Sequence, residues 1–523
     1  MTTNVASSQS RFSTIKSLFR NPVVSLGFLA AYITVTVVVL VLLDRRSTIF
    51  PLLSTLAFPP LVLSPFVTLA LPIDSRFKLL IIVFLMFVLM PIVGMLDASY
   101  LELTIQICIF AGLALGLNIV VGFAGLLDLG YIAFFAIGAY LWAMFTSPVE
   151  SFFKINNLLV PASSFYLFMF LGVILAGIGG ILLGLPVLRL RGDYLAIVTL
   201  GFGEMIRILA QNSDSVGNPP INFTNGSQGL NSVGRPPVPQ FLRELVTFVQ
   251  EQLGLSAANL QPLIQQLLFY FIAIIVIVVI LVIARRLEDS PIGRAWTAIR
   301  EDEVAAIAMG VPLVRMKLLA FAMGACFAGA IGVLYSAKQT FVSPESFSLI
   351  QSISILAMVI VGGIGSIKGV LLGACVVTLL NLQVLKNLSL QINSWRNNDG
   401  VLPHIVIVVI ALVIAALLVR AILRRVRGAL TAPPSTWQRY QGFAIALVLG
   451  VIAIGVVVGA LQSGDFHIRD WPTQLEPAKY ERLVFGLLLI TMMIFRPAGL
   501  LPEARRRMEL QATKREKAAV GEG

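Results

Sequence analysis

Four polar residues stand inside the apolar stretches of this chain, at positions where chemistry could be done: Asn118, Asp128, Glu204 and Arg207. An ionisable group within a membrane-crossing segment is costly and points by default to a pathway or relay. Asp128 lies in the glycine-broken segment GFAGLLDLG, where an interrupted helix frees backbone groups that could line a passage. Glu204 and Arg207 are three residues apart on one helical face, a spacing that favours pairing with each other. Asn118 could bond a neighbouring helix. The three cysteines, Cys108, Cys326 and Cys375, sit in apolar stretches and read as small hydrophobes, and the two histidines, His404 and His467, lie far apart. No metal or cofactor is expected. The chain has no G-x-x-x-x-G-K-[ST] loop, no H-E-x-x-H and no G-x-S-x-G motif. An ATPase driving it would therefore be another polypeptide, and the chain itself is not expected to be an enzyme.

A second polar region stands outside the apolar stretches. The segment SPIGRAWTAIREDEVAAIAMGVPLVRMKLLAF, from Ser290 to Phe321, begins basic and runs straight into an apolar span. Within it AIREDEVAAIAM reads as one short helix ended by Gly310 and Pro312. Taken alone, the segment is an ordinary solvated loop. A surface helix, a glycine turn and a re-entering span could equally receive a push from a soluble partner.

These residues must be positioned by membrane helices. Of 523 residues, 58% are hydrophobic and 12% charged, about half the charge usual for a soluble domain. Apolar runs of roughly 20 residues, the length that spans a bilayer core, recur along the chain. Candidate spans are Pro22–Leu43, Pro51–Leu71, Leu79–Leu96, Leu103–Val121, Tyr131–Phe145, Phe165–Leu188, Tyr194–Ala210 and Leu267–Ala284. Further ones are Leu318–Ala337, Ile350–Val361, Val370–Leu385, Val401–Val419, Phe443–Leu461 and Leu483–Phe495. The net charge of +12 brackets these spans, which speaks for a positive-inside membrane protein and against nucleic acid. Basic clusters at Arg285–Arg300, Arg420–Arg427 and the tail from Arg496 place those segments and both termini in the cytoplasm, although Arg45 and Arg46 then fall outside. Phe12, Ile15 and Phe19 share a helical face opposite Arg11, Lys16 and Arg20, which predicts a short helix on the lipid surface. The polar stretch 211–266 faces outward, where it either meets a partner or acts as a spacer. Two segments, VGFAGLLDLG from Val121 and VGGIGSIKG from Val361, share a faint glycine pattern.

Several stretches carry a resemblance. The Ser290 segment resembles the coupling loop of ABC-importer permeases, whose hallmark is Glu-Ala-Ala, three residues, then Gly. Ala305, Ala306 and Gly310 hold that spacing, while the acid, Glu303, comes one residue early. The wider text resembles the M-type permease subunit of branched-chain amino-acid importers. The matching stretches are LALGLNIVVGFAGLLDLGYIAFFAIGAY from Leu113, LRLRGDYLAIVTLGFGEMIRI from Leu188, the Ser290 segment, FVSPESFSLIQSISILAMVIVGGIGSIKGVLLGA from Phe341, and FRPAGLLPE from Phe495.

The resemblance implies an all-α polytopic permease in the bacterial inner membrane, translocating leucine, isoleucine and valine. It implies a homologous H-type permease, two ATP-binding subunits and an external solute-binding protein as partners. By the same likeness the loop 285–317, with Arg300, Glu303, Ala305, Ala306 and Gly310, docks on an ATPase. The core permease domain is then 101–385, preceded by accessory spans in 1–100. An insertion with two extra spans follows at 386–482, and a last span with a basic tail at 483–523. The rival readings are broad neutral amino-acid uptake, a urea or short-amide importer, an ion-coupled carrier using Asp128, Glu204 and Arg207, and a membrane scaffold without a solute path.

Overall fold

The computed structural model describes residues 22–46, 51–187, 193–218, 220–253 and 260–386, and near the C-terminus 486–487, 490 and 499–501. The chain divides into two units, Met1–Val384 with Leu483–Gly523, and Leu385–Arg482. The surface helix expected in the first twenty residues and the spans Val401–Val419 and Phe443–Leu461 lie outside the described residues, as do nearly all of Leu483–Phe495 and the basic tail.

The described part is a bundle of helices. In chain order they are α1 (Pro22–Arg46), α2 (Pro51–Ala70), α3 (Ser75–Phe84), α4 (Met90–Leu96) and α5 (Ala98–Leu117). They continue with α6 (Ile132–Thr146), α7 (Phe165–Val187), α8 (Asp193–Gln211), α9 (Gln240–Leu253) and α10 (Leu260–Asp289). The remainder are α11 (Pro291–Glu301), α12 (Glu303–Ala308), α13 (Leu313–Gln339), α14 (Leu349–Gly362) and α15 (Ile367–Leu379). A π-helical turn, Leu85–Leu89, joins α3 to α4, and two more extend α5 through Asn118–Phe123 and α15 through Leu380–Leu385. Seven helical segments among the described residues are long and apolar enough to cross a membrane. The apolar stretches read from the sequence and the helices coincide to within a few residues at most ends, because length and hydrophobicity alone dictate a span.

α5 is the axis of the bundle. Its span is 89% buried, against 28–72% for the other six, so it meets protein on nearly every side. It packs against α10, α13, α14 and α15, while α13 lies along α6 and α7. Lipid offers no hydrophobic drive for two apolar helices to associate, so close contact must come from small residues. Gly329 of α13 is such a point, since a Cβ there would be driven into the Gly172 carbonyl of α7. Gly138 of α6 in turn lies directly against the Gly329 carbonyl.

α10 runs for 30 residues, or roughly 45 Å at 1.5 Å per residue. It separates the two polar ends of the bundle. At one end lie the residues that follow α8, as far as α9. Their strand β1 (Leu230–Asn231) pairs antiparallel with β2 (Phe341–Val342), Leu230 opposite Val342. Trp142 Nε1 donates to Gly234 O at 2.9 Å and Ser147 Oγ to Asn231 O at 2.6 Å, so the stretch is pinned to α6. At the other end lie α11 and α12.

Here the structure corrects one expectation. AIREDEVAAIAM is not one helix: Asp302 adopts an extended backbone, φ −154° and ψ 111°, and splits it. The cause is its side chain, which accepts hydrogen bonds from Val304 N at 2.8 Å and Ala305 N at 3.0 Å. An aspartate in this role starts a helix rather than continuing one. Gly310 ends α12 as expected, with φ +83°, a region that costs other residues strain.

Candidate functional site

Three glycine-containing segments distant in sequence are joined in turn, the first of them beside α11. The first is the break after α5. The π-turn ends the helix at Phe123, and residues 124–131 pass to α6 without forming one. The second is the break between α14 and α15, where Gly363 and Gly365 both have positive φ, +120° and +85°. Asn118 joins the two, its Oδ1 accepting from Gly365 N at 2.9 Å. Asn118 is expected to bond a neighbouring helix; its partner here is instead backbone freed by a broken one. The third is residues 499–501, near the C-terminus. Leu500 N donates to Val361 O at 2.9 Å and Leu501 N to Gly362 O at 3.0 Å, satisfying carbonyls at the end of α14. Membrane helices tolerate such breaks only where protein or water satisfies the freed groups.

The α11–α12 arm is fastened to this junction. Arg300 Nη1 donates to Gly122 O at 2.5 Å, and Gly125 has φ +70° with no room for a side chain beside Arg300. Trp296, fully buried, donates from Nε1 to Met316 O at 2.7 Å, which holds α11 against the start of α13. Glu303 pairs with Lys317, whose side chain is only 4% exposed, and that fixes α12 to the same helix. Ala306 is buried under α12, whereas Ala305 and Gly310 are exposed. Val304, Ile307 and Met309 also face outward, at 68%, 50% and 71% exposure.

Asp128 sits in the first break, 1% exposed. Its Oδ1 accepts from Gly130 N at 2.9 Å, and among the described residues Oδ2 has no hydrogen-bond partner. Thr199 of α8 stands beside it, accepting from Leu129 N at 3.0 Å and donating to Ala196 O at 3.0 Å. Gly130 presses on the α8 backbone at Thr199. Asp128 therefore shapes the entry to α6 and its seat on α8.

Glu204 and Arg207 lie one to two turns further along α8 and form the expected pair, with Arg207 Nε donating to Glu204 Oε1 at 2.9 Å. Arg207 also reaches Glu345, just ahead of α14, at 3.3 Å. The structure thus brings Asn118, Asp128 and Arg300 to neighbouring breaks and leaves Glu204 and Arg207 apart from them. Sequence reasoning missed Lys317, a single cation at the start of an apolar span, which is the signal that could have found it. It also missed Thr199 and the pair of Lys338 with the half-exposed Glu102 at the other end of the bundle. Among the described residues no group of His, Cys, Asp and Glu could hold a metal ion.

An all-α bundle of apolar helices, broken at satisfied glycines and carrying a two-helix polar arm, defines a polytopic membrane permease. The family described as branched-chain amino acid transport system / permease component matches residues 99–412, more than half the chain, and the protein belongs to it. Among its relatives is the high-affinity branched-chain amino acid transport system permease protein LivM of Salmonella typhimurium, 38% identical over 285 residues. That alignment covers 54% of this chain and 62% of the relative. LivM of Escherichia coli matches at the same identity and coverage. A LivM-type branched-chain amino acid transport permease protein of Methanocaldococcus jannaschii is 26% identical over 256 residues, 48% of this chain and 65% of its own. The chain therefore spans less than two thirds of the length of these relatives. The family match runs past Leu385, into the stretch that the sequence reading set aside as an insertion. No solved structure matches.

Proposed function

We propose that this chain is the M-type transmembrane subunit of an ATP-driven importer for branched-chain amino acids in the bacterial inner membrane. It works with a homologous H-type permease, two ATP-binding subunits and an external solute-binding protein. The observation that carries this reading is the α11–α12 arm. It presents Val304, Ile307 and Met309 outward while Lys317 and Gly122 hold it from behind. An apolar patch on an otherwise polar arm suits a protein partner, and the fastenings behind it suit the transmission of force.

In this reading the arm and both termini are cytoplasmic, and the stretch 212–259 faces the binding protein. On that outer side α9 buries Leu242 and Val246 but leaves Phe241, Leu245 and Phe248 exposed. ATP is hydrolysed on the partner subunits, and movement of the arm alters the break at Gly122. Arg300, Glu303, Ala305, Ala306 and Gly310 form the coupling region, and Asn118, Asp128, Glu204 and Arg207 border the path. A side chain such as leucine's needs only an apolar passage, because the binding protein does the selecting. The segment 1–100 and the part of 386–482 beyond the family match are accessory to the core.

The test is labelled leucine uptake in cells lacking only this gene, with and without complementation, competed by excess valine, alanine or urea. Uptake that is lost, restored by the gene and blocked by valine supports the assignment. Unchanged leucine uptake together with loss of urea uptake would move the substrate to short amides.

A further inference from the structure

The spans differ in how their exposed faces are built. α7 exposes Leu167, Phe170, Ile174, Ile178 and Leu182, and α10 exposes Ile275, Val278, Val279 and Val282. Both faces are wholly apolar and suit acyl chains. α8 is built otherwise. Its span is 28% buried, the same share as the span made by α3 and α4, yet it has the lowest hydropathy of the seven while theirs is the second highest.

One side of α8 carries Ile197, Gly201, Glu204 and Ile208, spaced i, i+4, i+7 and i+11, a single helical face. Ile197 and Ile208 are 63% and 45% exposed. A Cβ added at Gly201 would meet nothing within 4 Å, so nothing among the described residues accounts for a glycine there. Beside it stands the Glu204–Arg207 pair, partly exposed and tied on to Glu345. α14 touches α8 and has the next lowest hydropathy, exposing Ile350 and Ile353 around Gln351 and Ser354.

We infer that the adjoining faces of α8 and α14 form the surface against which the homologous permease subunit packs, with Gly201 the point of closest helix approach. The inference rests on the importer reading above. Acyl chains cannot solvate a charged pair, so this face is the one least suited to lipid. Small residues are what let two membrane helices approach. Gly201 lies about 12–15 Å along the helix from either end of α8, beyond the reach of a soluble subunit at either membrane surface. Arg207 is neutralised within this chain, so the partner has to cover the pair and need not supply a counter-charge.

The test uses the whole transporter in native membranes, with the two permeases carrying different epitope tags. A photoreactive benzoylphenylalanine is placed at Ile197, at Ile208, or at Ile178 on the apolar face of α7. Irradiation is expected to give an adduct carrying both tags from Ile197 and Ile208 and none from Ile178. Gly201→Leu, which has open space in this chain, is expected to leave its abundance unchanged and to lower recovery of the partner permease at least fivefold. Adducts with lipid only, adducts joining two copies of this chain, or full partner recovery with Gly201→Leu would overturn the inference. Leucine uptake before irradiation separates the two readings. Uptake retained with lipid-only adducts sinks the interface and spares the importer, whereas no leucine uptake by the unmodified transporter sinks the importer itself.

Discussion

Arg300 reaches from the polar arm into the bundle and donates to the Gly122 carbonyl at 2.5 Å, 178 residues away in sequence. That carbonyl belongs to the turn where α5, the most buried helix, ends. A displacement of α11 therefore acts on the end of the central helix through one side chain, that of Arg300.

Removing this link should uncouple the transporter. A hydrogen bond from a charged group contributes about 1.5–3 kcal/mol, so Arg300→Ala should lower leucine uptake roughly 10- to 100-fold. ATP hydrolysis by the partner subunits should persist. Arg300→Lys should recover part of the uptake, because one donor remains. Parallel uptake and ATPase assays on reconstituted transporter read both, and equal loss of the two would argue for a merely structural role.

The Glu303–Lys317 pair predicts an asymmetry. Lys317 is almost fully buried, so Glu303→Ala leaves an unpaired charge, a situation that costs about 3–5 kcal/mol. Thermal unfolding of the purified transporter should show a clear loss for Glu303→Ala. The double variant Glu303→Gln with Lys317→Met should recover most of it. A double variant as unstable as the single one would show that the pair is not what holds α12.

Docking of the ATP-binding subunits should depend on the outward face of α12. Val304→Asp and Met309→Asp place carboxylates at positions 68% and 71% exposed, so the chain itself should fold and accumulate normally. Co-purification of the ATP-binding subunit should fall at least tenfold. Undiminished recovery would move the docking surface elsewhere.

Packing at Gly329 predicts a stability effect. A methyl group there meets the Gly172 backbone, which cannot give way as a side chain would. Overpacking of this kind costs about 1–3 kcal/mol. Gly329→Ala should lower the midpoint of unfolding in detergent, while Gly201→Ala, facing open space, should not.

The sequence disclosed elements whose cause is local. α10 is a long apolar run between polar flanks, and Glu204 with Arg207 shows its pairing in a three-residue spacing. Gly310 and Pro312 announced the end of α12. What stayed hidden depends on chain segments meeting in space. Nothing near Asn118 indicates that its partner is Gly365, 247 residues on, nor does MKLLAF reveal that Lys317 answers Glu303. Asp302 is an intermediate case: its capping role is local, but the helix-forming residues around it masked the break. The likeness between GFAGLLDLG and VGGIGSIKG has a physical content, since both interrupt a helix and Asn118 bridges them. Their common descent does not follow from that.

The clasp at the end of α14 has a consequence for biosynthesis. Val361 and Gly362 expose carbonyls that Leu500 and Leu501 satisfy, yet the ribosome makes that segment about 140 residues later. At roughly 5–20 residues per second, the interval is about 7–28 s. Throughout it the nascent protein holds these two carbonyls without the partners they have in the fold. The end of α14 is thus completed only once residues 500 and 501 have been made, well after the helix itself.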